Sequence, residues 1–208
     1  MSIVTNWGYE LPDAESLPDL LNLQEFDVLT GNRYARDIRV PLNIKAACAA
    51  IRNYVGWHMY PAESCKLDIA MDNRRITFVG RDILVQLPAK FVTSVESITI
   101  GETVYENYTI ETNGILRIYD VAFCHIKRYD HIVILYTAGL TDSMMDGIKE
   151  LVAHRVTHAT ASSNGITSEA AGGVSVTYNA NWVNSARATA LPSDNKEVLE
   201  PYRVQGVF

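Results

Sequence analysis

The spacing of the apolar residues changes twice along the chain, from a helical repeat to an alternating pattern and back. In the clearest helical stretch the apolar residues recur at steps of four, three and four, at Ile44, Cys48, Ile51 and Val55. Alternating runs separated by turn residues occupy 67–136 and are typical of short strands. The pattern therefore predicts roughly five to seven mostly antiparallel strands there, with helices near 20–30, 41–56, 143–160 and 194–202.

Two turn signals lie inside the strand block. The stronger is Asn113-Gly114, between Tyr108–Thr112 and Ile115–Ile118. Both central residues of a type I′ turn need positive φ, which asparagine and glycine adopt most readily. Gly101-Glu102 is a second, weaker signal. Both predict β-hairpins.

Small residues flank the apolar stripe of the second helix, at Ala46, Ala47, Ala49 and Ala50. Alanine lets another helix approach closely. One face of this helix is therefore predicted to pack inside the subunit, and another is predicted to contact neighbouring subunits in an oligomer. In the third helix the predicted stripe is Met145, Ile148, Val152, Val156 and Ala159.

The late part of the chain changes in composition. Residues 160–173 are rich in Ala, Ser, Thr and Gly, which predicts a flexible connection. Residues 174–178 alternate like a short strand. Asp194 is predicted to cap the last helix, with Glu197 three residues later.

These patterns predict an α+β protein, a small helical bundle with an inserted antiparallel β region and an extended C-terminal arm. The predicted organisation is a leader at 1–19, a helical core at 20–60 and 141–160, the β region at 61–140, and the arm, with a short strand and a terminal helix, at 161–208.

Composition narrows the functional classes. Of the 208 residues, 48% are hydrophobic and 20% are charged, as in a folded soluble protein. The net charge of −6 gives no general basic surface for nucleic acid. The chain shows no signal peptide, and no apolar run approaches the ~20 residues of a membrane span. Its three cysteines include no CxxC pair, which favours reduced thiols in a protein made in a cytosol.

Catalytic motifs are missing from the sequence. His154 and His158 are four residues apart on one predicted helix, but a zinc protease needs glutamate where Arg155 stands. No nucleophile elbow, phosphate loop or dinucleotide fingerprint occurs. We therefore predict no catalytic residue, cofactor or metal site. Two alternatives stay open, a metal-dependent hydrolase using His154 and His158, and a monomeric β-rich binding module on 67–136.

Several segments together resemble those of one protein family. They are Leu23–Phe26 with Thr30-Gly31, Ala46–Trp57, Leu87-Pro88 with Val92–Val95, Val133–Leu140, Ser168–Tyr178 and Leu199–Arg203. In this combination the chain resembles the head–tail connector proteins of tailed bacteriophages, also called adaptor or head completion proteins.

The resemblance implies a non-enzymatic virion protein, made in the host cytoplasm. It would form a ring, usually dodecameric in the family, below the portal protein of the DNA-filled head. The ring would extend the DNA channel without sequence-specific binding and would dock the next neck or tail-completion protein. The expected portal and subunit interface consists of Ala49, Ala50, Ser168, Glu169, Gly172, Gly173, Val174, Val176, Tyr178, Leu199, Tyr202 and Arg203.

Overall fold

The protein is described by a computed structural model that covers residues 3–5, 8–11, 17–121, 130–162, 168–171, 174–177 and 193–204. The chain divides into two compact units. The β unit takes its described residues from 1–18, 55–141 and 201–208, and the helical unit takes its residues from 19–54 and 142–200. The α+β class is confirmed.

The β unit is built from antiparallel strands. In the described part of the chain they are β1 Ile3–Val4, β2 Glu10–Leu11, β3 Glu63–Ala70, β4 Ile76–Val79, β5 Asp82–Gln86, β6 Val92–Ile100, β7 Thr103–Val104, β8 Tyr108–Glu111, β9 Ile115–Ile118 and β10 His131–Ala138. One sheet has the order β1-β2-β3-β10-β6-β7, and the other has the order β4-β5-β9-β8. The antiparallel pairing is confirmed, although β3 to β10 make one strand more than the upper end of the expected range.

Alternation explains how the larger sheet acquires a buried face. In β3 every second residue is buried, and the buried residues of β10 stand opposite them in the pairs Ile132–Ile69, Ile134–Leu67 and Tyr136–Cys65. Directly opposed side chains on one face of a sheet pack against each other. Fully burying an isoleucine or leucine contributes about 1.5–3 kcal/mol. The paired strands β3 and β10 thus form the centre of this core.

Both predicted hairpins are present. Gly101, with φ of 57°, and Glu102 form the two-residue connection between the paired residues Ile100 and Thr103. At the second hairpin Asn113 and Gly114 have φ of 63° and 74°, so the expected positive φ values are confirmed. The expected type I′ loop is not, because Glu111 pairs with Ile115 and a three-residue 3₁₀ turn connects them.

Part of the predicted leader belongs to the β unit. Glu10 pairs with Lys66 of β3, and Tyr9 and Leu11 on either side are buried. The Tyr9 hydroxyl lies 2.7 Å from Nδ1 of buried His58, whose Nε2 lies 2.9 Å from the Ala138 carbonyl oxygen. Because a carbonyl oxygen only accepts, Nε2 of His58 donates and Nδ1 accepts from Tyr9. A two-residue strand has too little alternation to be recognised before its partner is known.

Four helices are described: α1 Leu23–Leu29, α2 Val40–Val55, α3 Asp146–Ser162 and α4 Ser193–Leu199. They belong to the helical unit, except that Val55, the last residue of α2, is assigned to the β unit. Asn22 and Glu25 form a capping box at the start of α1. Pro41 is the second residue of α2, and a 3₁₀ turn at Asp142–Met144 precedes α3. In the described part of the chain no helix is long and apolar enough to cross a membrane.

The apolar stripes agree with the expected ones except at their ends. All four stripe residues of α2 are buried, as are the first four of the stripe predicted for the third helix, although Met145 precedes the start of α3. Ala159 is exposed, and Thr160 is buried in its place. Thr160 accepts a hydrogen bond from Asn43, 3.0 Å away, which satisfies its hydroxyl in the interior. Asp194 lies inside α4 instead of capping it.

A further antiparallel pair of strands begins where a flexible connection was expected. Ser168–Ala171 forms strand β11 and pairs with Val174–Thr177, which forms β12. The strand expected at 174–178 is therefore confirmed over Val174–Thr177, while Tyr178 lies outside the described residues. The prediction of a connection through Ser168–Ala171 was wrong, because pairing with β12 supplies backbone hydrogen bonds that local composition does not reveal.

Candidate assembly surfaces

Ala49 and Ala50 are neighbours in sequence but lie on different faces of α2. Ala50 is only 7% exposed, beside the buried stripe. Ala49 is exposed, on a row that continues through Leu42, Lys45 and Asn53 at helical steps. Ala49 is therefore accessible to another molecule, whereas Ala50 is part of the interior of the subunit.

The late segment brings four of the expected interface residues together. Ser168 and Glu169 lie on β11, and Val174 and Val176 lie on β12. Glu169 stands directly opposite Val176 in the antiparallel register. Gly172, Gly173 and Tyr178 lie outside the described residues. We name Ser168–Thr177 the arm hairpin.

The last expected interface residues have roles within the subunit. Leu199, at the end of α4, is buried. The Tyr202 carbonyl oxygen accepts a hydrogen bond of 2.8 Å from Trp57 Nε1, and the Tyr202 ring lies 5.9 Å from that of Phe91. Arg203 is half-buried. Tyr202 thus helps to anchor residues 201–204 in the β unit.

This anchor involves residues that sequence reasoning did not select for it. Lys90 Nζ donates to the Pro201 carbonyl at 2.9 Å, and the Val204 N–H donates to the Val55 carbonyl at 2.9 Å. The rings of Trp57 and Phe91 are stacked 6.2 Å apart. We name these contacts the C-terminal anchor. The signal in the sequence that could have indicated it is the large aromatic side chain of Trp57, two residues after the end of α2.

The histidine pair on α3 is close enough to interact. The Nε2 atoms of His154 and His158 lie 3.2 Å apart. Among the residues that the structure describes, no group of three or more metal-ligating side chains is found. Structural zinc sites use four protein ligands and catalytic sites three. The pair therefore gives the hydrolase alternative no ligand set in this part of the chain.

The histidine pair predicts a pH dependence of stability. Burial and the neighbouring His154 lower the pKa of His158 below its usual value of 6.5, so the folded chain favours the neutral ring. Since the unfolded chain then binds more protons, the free energy of unfolding should fall as pH drops from about 7 to 5. His158→Gln should reduce this loss, measured by urea unfolding across the range. An identical pH profile in the variant and the unchanged chain would contradict the prediction.

The described cysteines are poor nucleophiles. Cys48 and Cys65 are free and buried. Burial raises the pKa of Cys48, and it raises the pKa of Cys65 to about 12. Because the thiolate is the reactive form, both side chains act as core residues near neutral pH.

Comparisons with known proteins give a matching family model and similar solved structures. The family model described as "Head completion protein" matches residues 20–205. Comparison with curated proteins finds no match. Among solved structures, a chain from "Neck of empty GTA particle computed with C6 symmetry" is similar at 16% identity and a TM-score of 0.48. The match covers 93% of this chain and 94% of that one.

Proposed function

This chain belongs to the head completion protein family, and we propose that it is a head–tail connector of a tailed phage that forms a ring below the portal. The observation that carries the proposal is the extent of the family match, which runs from Leu20 to Gln205. It includes the helical unit as well as most of the β unit, whereas a binding module would need only the strand block. Family membership supports a structural, non-enzymatic role in virion assembly.

In this proposal the ring extends the DNA channel and carries a docking surface for the next neck or tail-completion protein. The protein is made in the host cytoplasm and ends in the neck of the virion. Its net charge of −6 is compatible with passage of DNA, since carboxylates facing the channel would repel phosphates. We propose that the ring contains twelve subunits.

We assign portal docking to the arm hairpin. A two-stranded hairpin alone is marginally stable in water, and it gains stability when another surface covers it. Ile166 is the only large apolar residue in 160–173, a range that includes the first strand of the hairpin, so this part of the chain has little apolar surface to bury by itself. Both features favour a hairpin that is stabilised by binding a partner.

Replacing residues 168–177 by a glycine–serine segment of equal length should abolish head–tail joining while the subunit stays folded. The reason is that the replacement removes the proposed portal contact but retains α3, α4 and the C-terminal anchor. The measurement is the yield of joined particles by electron microscopy, and of infectious phage, when the variant replaces the natural protein. Folding is checked by circular dichroism and thermal unfolding.

Deletion of the chain from Ser168 onward would be a less specific form of the same test, because the deletion also removes buried Leu199 and the carbonyl that accepts from Trp57. If these contacts were lost, a failure to join heads to tails could result from an unstable subunit and not from the loss of the docking surface. A folded glycine–serine variant that still joins heads to tails would overturn the docking role.

A further inference from the structure

A groove between α1 and α3 exposes apolar side chains within the helical unit. It has a volume of about 450 Å³ and is lined in part by Val28, Leu29, Asp146 and Glu150. Val28 is 75% exposed and Leu29 is 48% exposed. We name this feature the acidic groove.

The lining of the acidic groove carries more negative than positive charge. Lys149 Nζ lies 2.6 Å from Glu25 Oε1, so these two lining residues neutralise each other. Asp146 and Glu150 have no ion-pair partner among the described residues and are exposed. The groove therefore suits an apolar side chain flanked by cations.

A surface with those properties lies on the segment that leads into α2 and on the first turns of that helix. We name it the basic ridge, and it consists of Arg33, Arg36, Ile38, Leu42 and Lys45. Ile38 is 90% exposed and Leu42 is 71% exposed. The three basic residues are exposed and have no ion-pair partner among the described residues. The ridge thus offers two apolar side chains among three cations.

A local ion pair shapes the middle of the basic ridge. Arg39 donates to Asp37 through Nε at 2.9 Å and through a terminal nitrogen at 2.6 Å. The Arg39 backbone N–H also donates to Asp37 at 2.9 Å. These bonds enclose Ile38 between two paired residues and leave its own side chain in solvent.

The α2 part of the basic ridge and the acidic groove lie near opposite ends of α3. Asn43, next to Leu42, is bonded to Thr160 in the last turn of α3. The groove is lined by Asp146 at the start of the same helix. Fourteen residues of α-helix span about 21 Å. The α2 part of the ridge is therefore distant from Asp146, whereas Arg33 at the other end of the ridge is only four residues after the end of α1, which lines the groove. The two surfaces consist of different residues, so one subunit can present both to its neighbours.

We propose that the basic ridge of one copy of this chain docks in the acidic groove of the next copy. Ile38 enters against Val28 and Leu29, while Arg36 and the other cations meet Asp146 and Glu150. Two different complementary surfaces produce a head-to-tail contact, which closes into a ring when the rotation permits. The inference rests on the proposed ring and names the surfaces that build it.

The test uses two variants that each remove one surface. Val28→Asp places a carboxylate in the acidic groove but keeps the ridge, and Ile38→Asp removes the apolar centre of the ridge but keeps the groove. Both positions are exposed, so folding should survive. Val104→Asp, at a 63% exposed valine in the β unit, is the matched control. Sedimentation equilibrium of the full chain measures self-association.

Each variant should weaken self-association by roughly tenfold or more, and Val104→Asp should leave it unchanged. A mixture of the two variants has one intact groove and one intact ridge, and should form heterodimers that grow no further. An unchanged chain that stays monomeric at about 1 mM, where contacts of only ~4 kcal/mol are detected, would overturn the inference. So would variants that assemble normally, or a mixture without heterodimers.

Head–tail joining separates this inference from the proposed function. A protein that joins heads to tails but shows no ridge–groove contact disproves only the inference. A protein that fails to complete heads disproves the proposed function, whatever its self-association.

Discussion

Ala50→Glu should unfold the helical unit, whereas Ala49→Glu should leave it folded. Ala50 is 7% exposed beside the buried stripe of α2, and a glutamate there would bury a carboxylate without a prepared partner. Such a change costs on the order of several kcal/mol. That is a large fraction of the ~5–15 kcal/mol that stabilises a typical domain. Urea unfolding followed by helical circular dichroism measures the difference.

Ala49→Glu is the matched control, because it introduces the same side chain one residue away on an exposed face. It also tests assembly, since Ala49 continues the exposed row of Leu42 and Lys45, which belong to the basic ridge. We expect a folded subunit with weaker self-association. If Ala50→Glu were as stable as the unchanged chain, the assignment of Ala50 to the interior would be wrong. If Ala49→Glu assembled normally, α2 would not be an assembly surface.

Gly139→Ala should destabilise the β unit by about 4 kcal/mol, a size reserved for a few severe mechanisms. Gly139 follows β10 and has φ of 151°. A Cβ atom there would lie 2.4 Å from the Pro61 carbonyl oxygen and 2.4 Å from Ala62 Cα. Both are backbone atoms, so a side-chain rotation cannot relieve the clash. The Gly139 N–H also donates to the Phe91 carbonyl, which limits movement of its own backbone.

Two other glycines separate the clash from the loss of backbone freedom. Gly80 has φ of 64° but no atom within 4 Å of the added Cβ, so Gly80→Ala should cost only about 1–2 kcal/mol. Gly147, inside α3, also has open space, and Gly147→Ala should stabilise by about 0.5–1 kcal/mol. Thermal unfolding of the three variants measures the size and sign of each effect on stability. Equal effects of Gly139→Ala and Gly80→Ala would show that close approach to Pro61 and Ala62 is unimportant.

Several parts of this protein could be predicted from the sequence because they depend on neighbouring residues. The stripe of α2 follows from the 3.6-residue helical repeat, and its four apolar members are all buried. Asn113 and Gly114 adopt positive φ. Because few other residues do so readily, this pair could be recognised in the sequence as a turn. The family resemblance also came from short sequence segments that follow one another in a particular order along the chain. The family match over 20–205 confirmed it.

Other features depend on partners far away in the chain, and only the tertiary structure decided them. Glu10 becomes part of a strand because Lys66 is available to pair with it, and residues 201–204 are anchored because Trp57 donates to Tyr202. The acidic groove requires α1 and α3 to pack side by side. At their contact, Lys149 and Glu25 are 124 residues apart along the chain. Local periodicity carries no information about such pairings, since the stabilising contact exists only once both segments have folded.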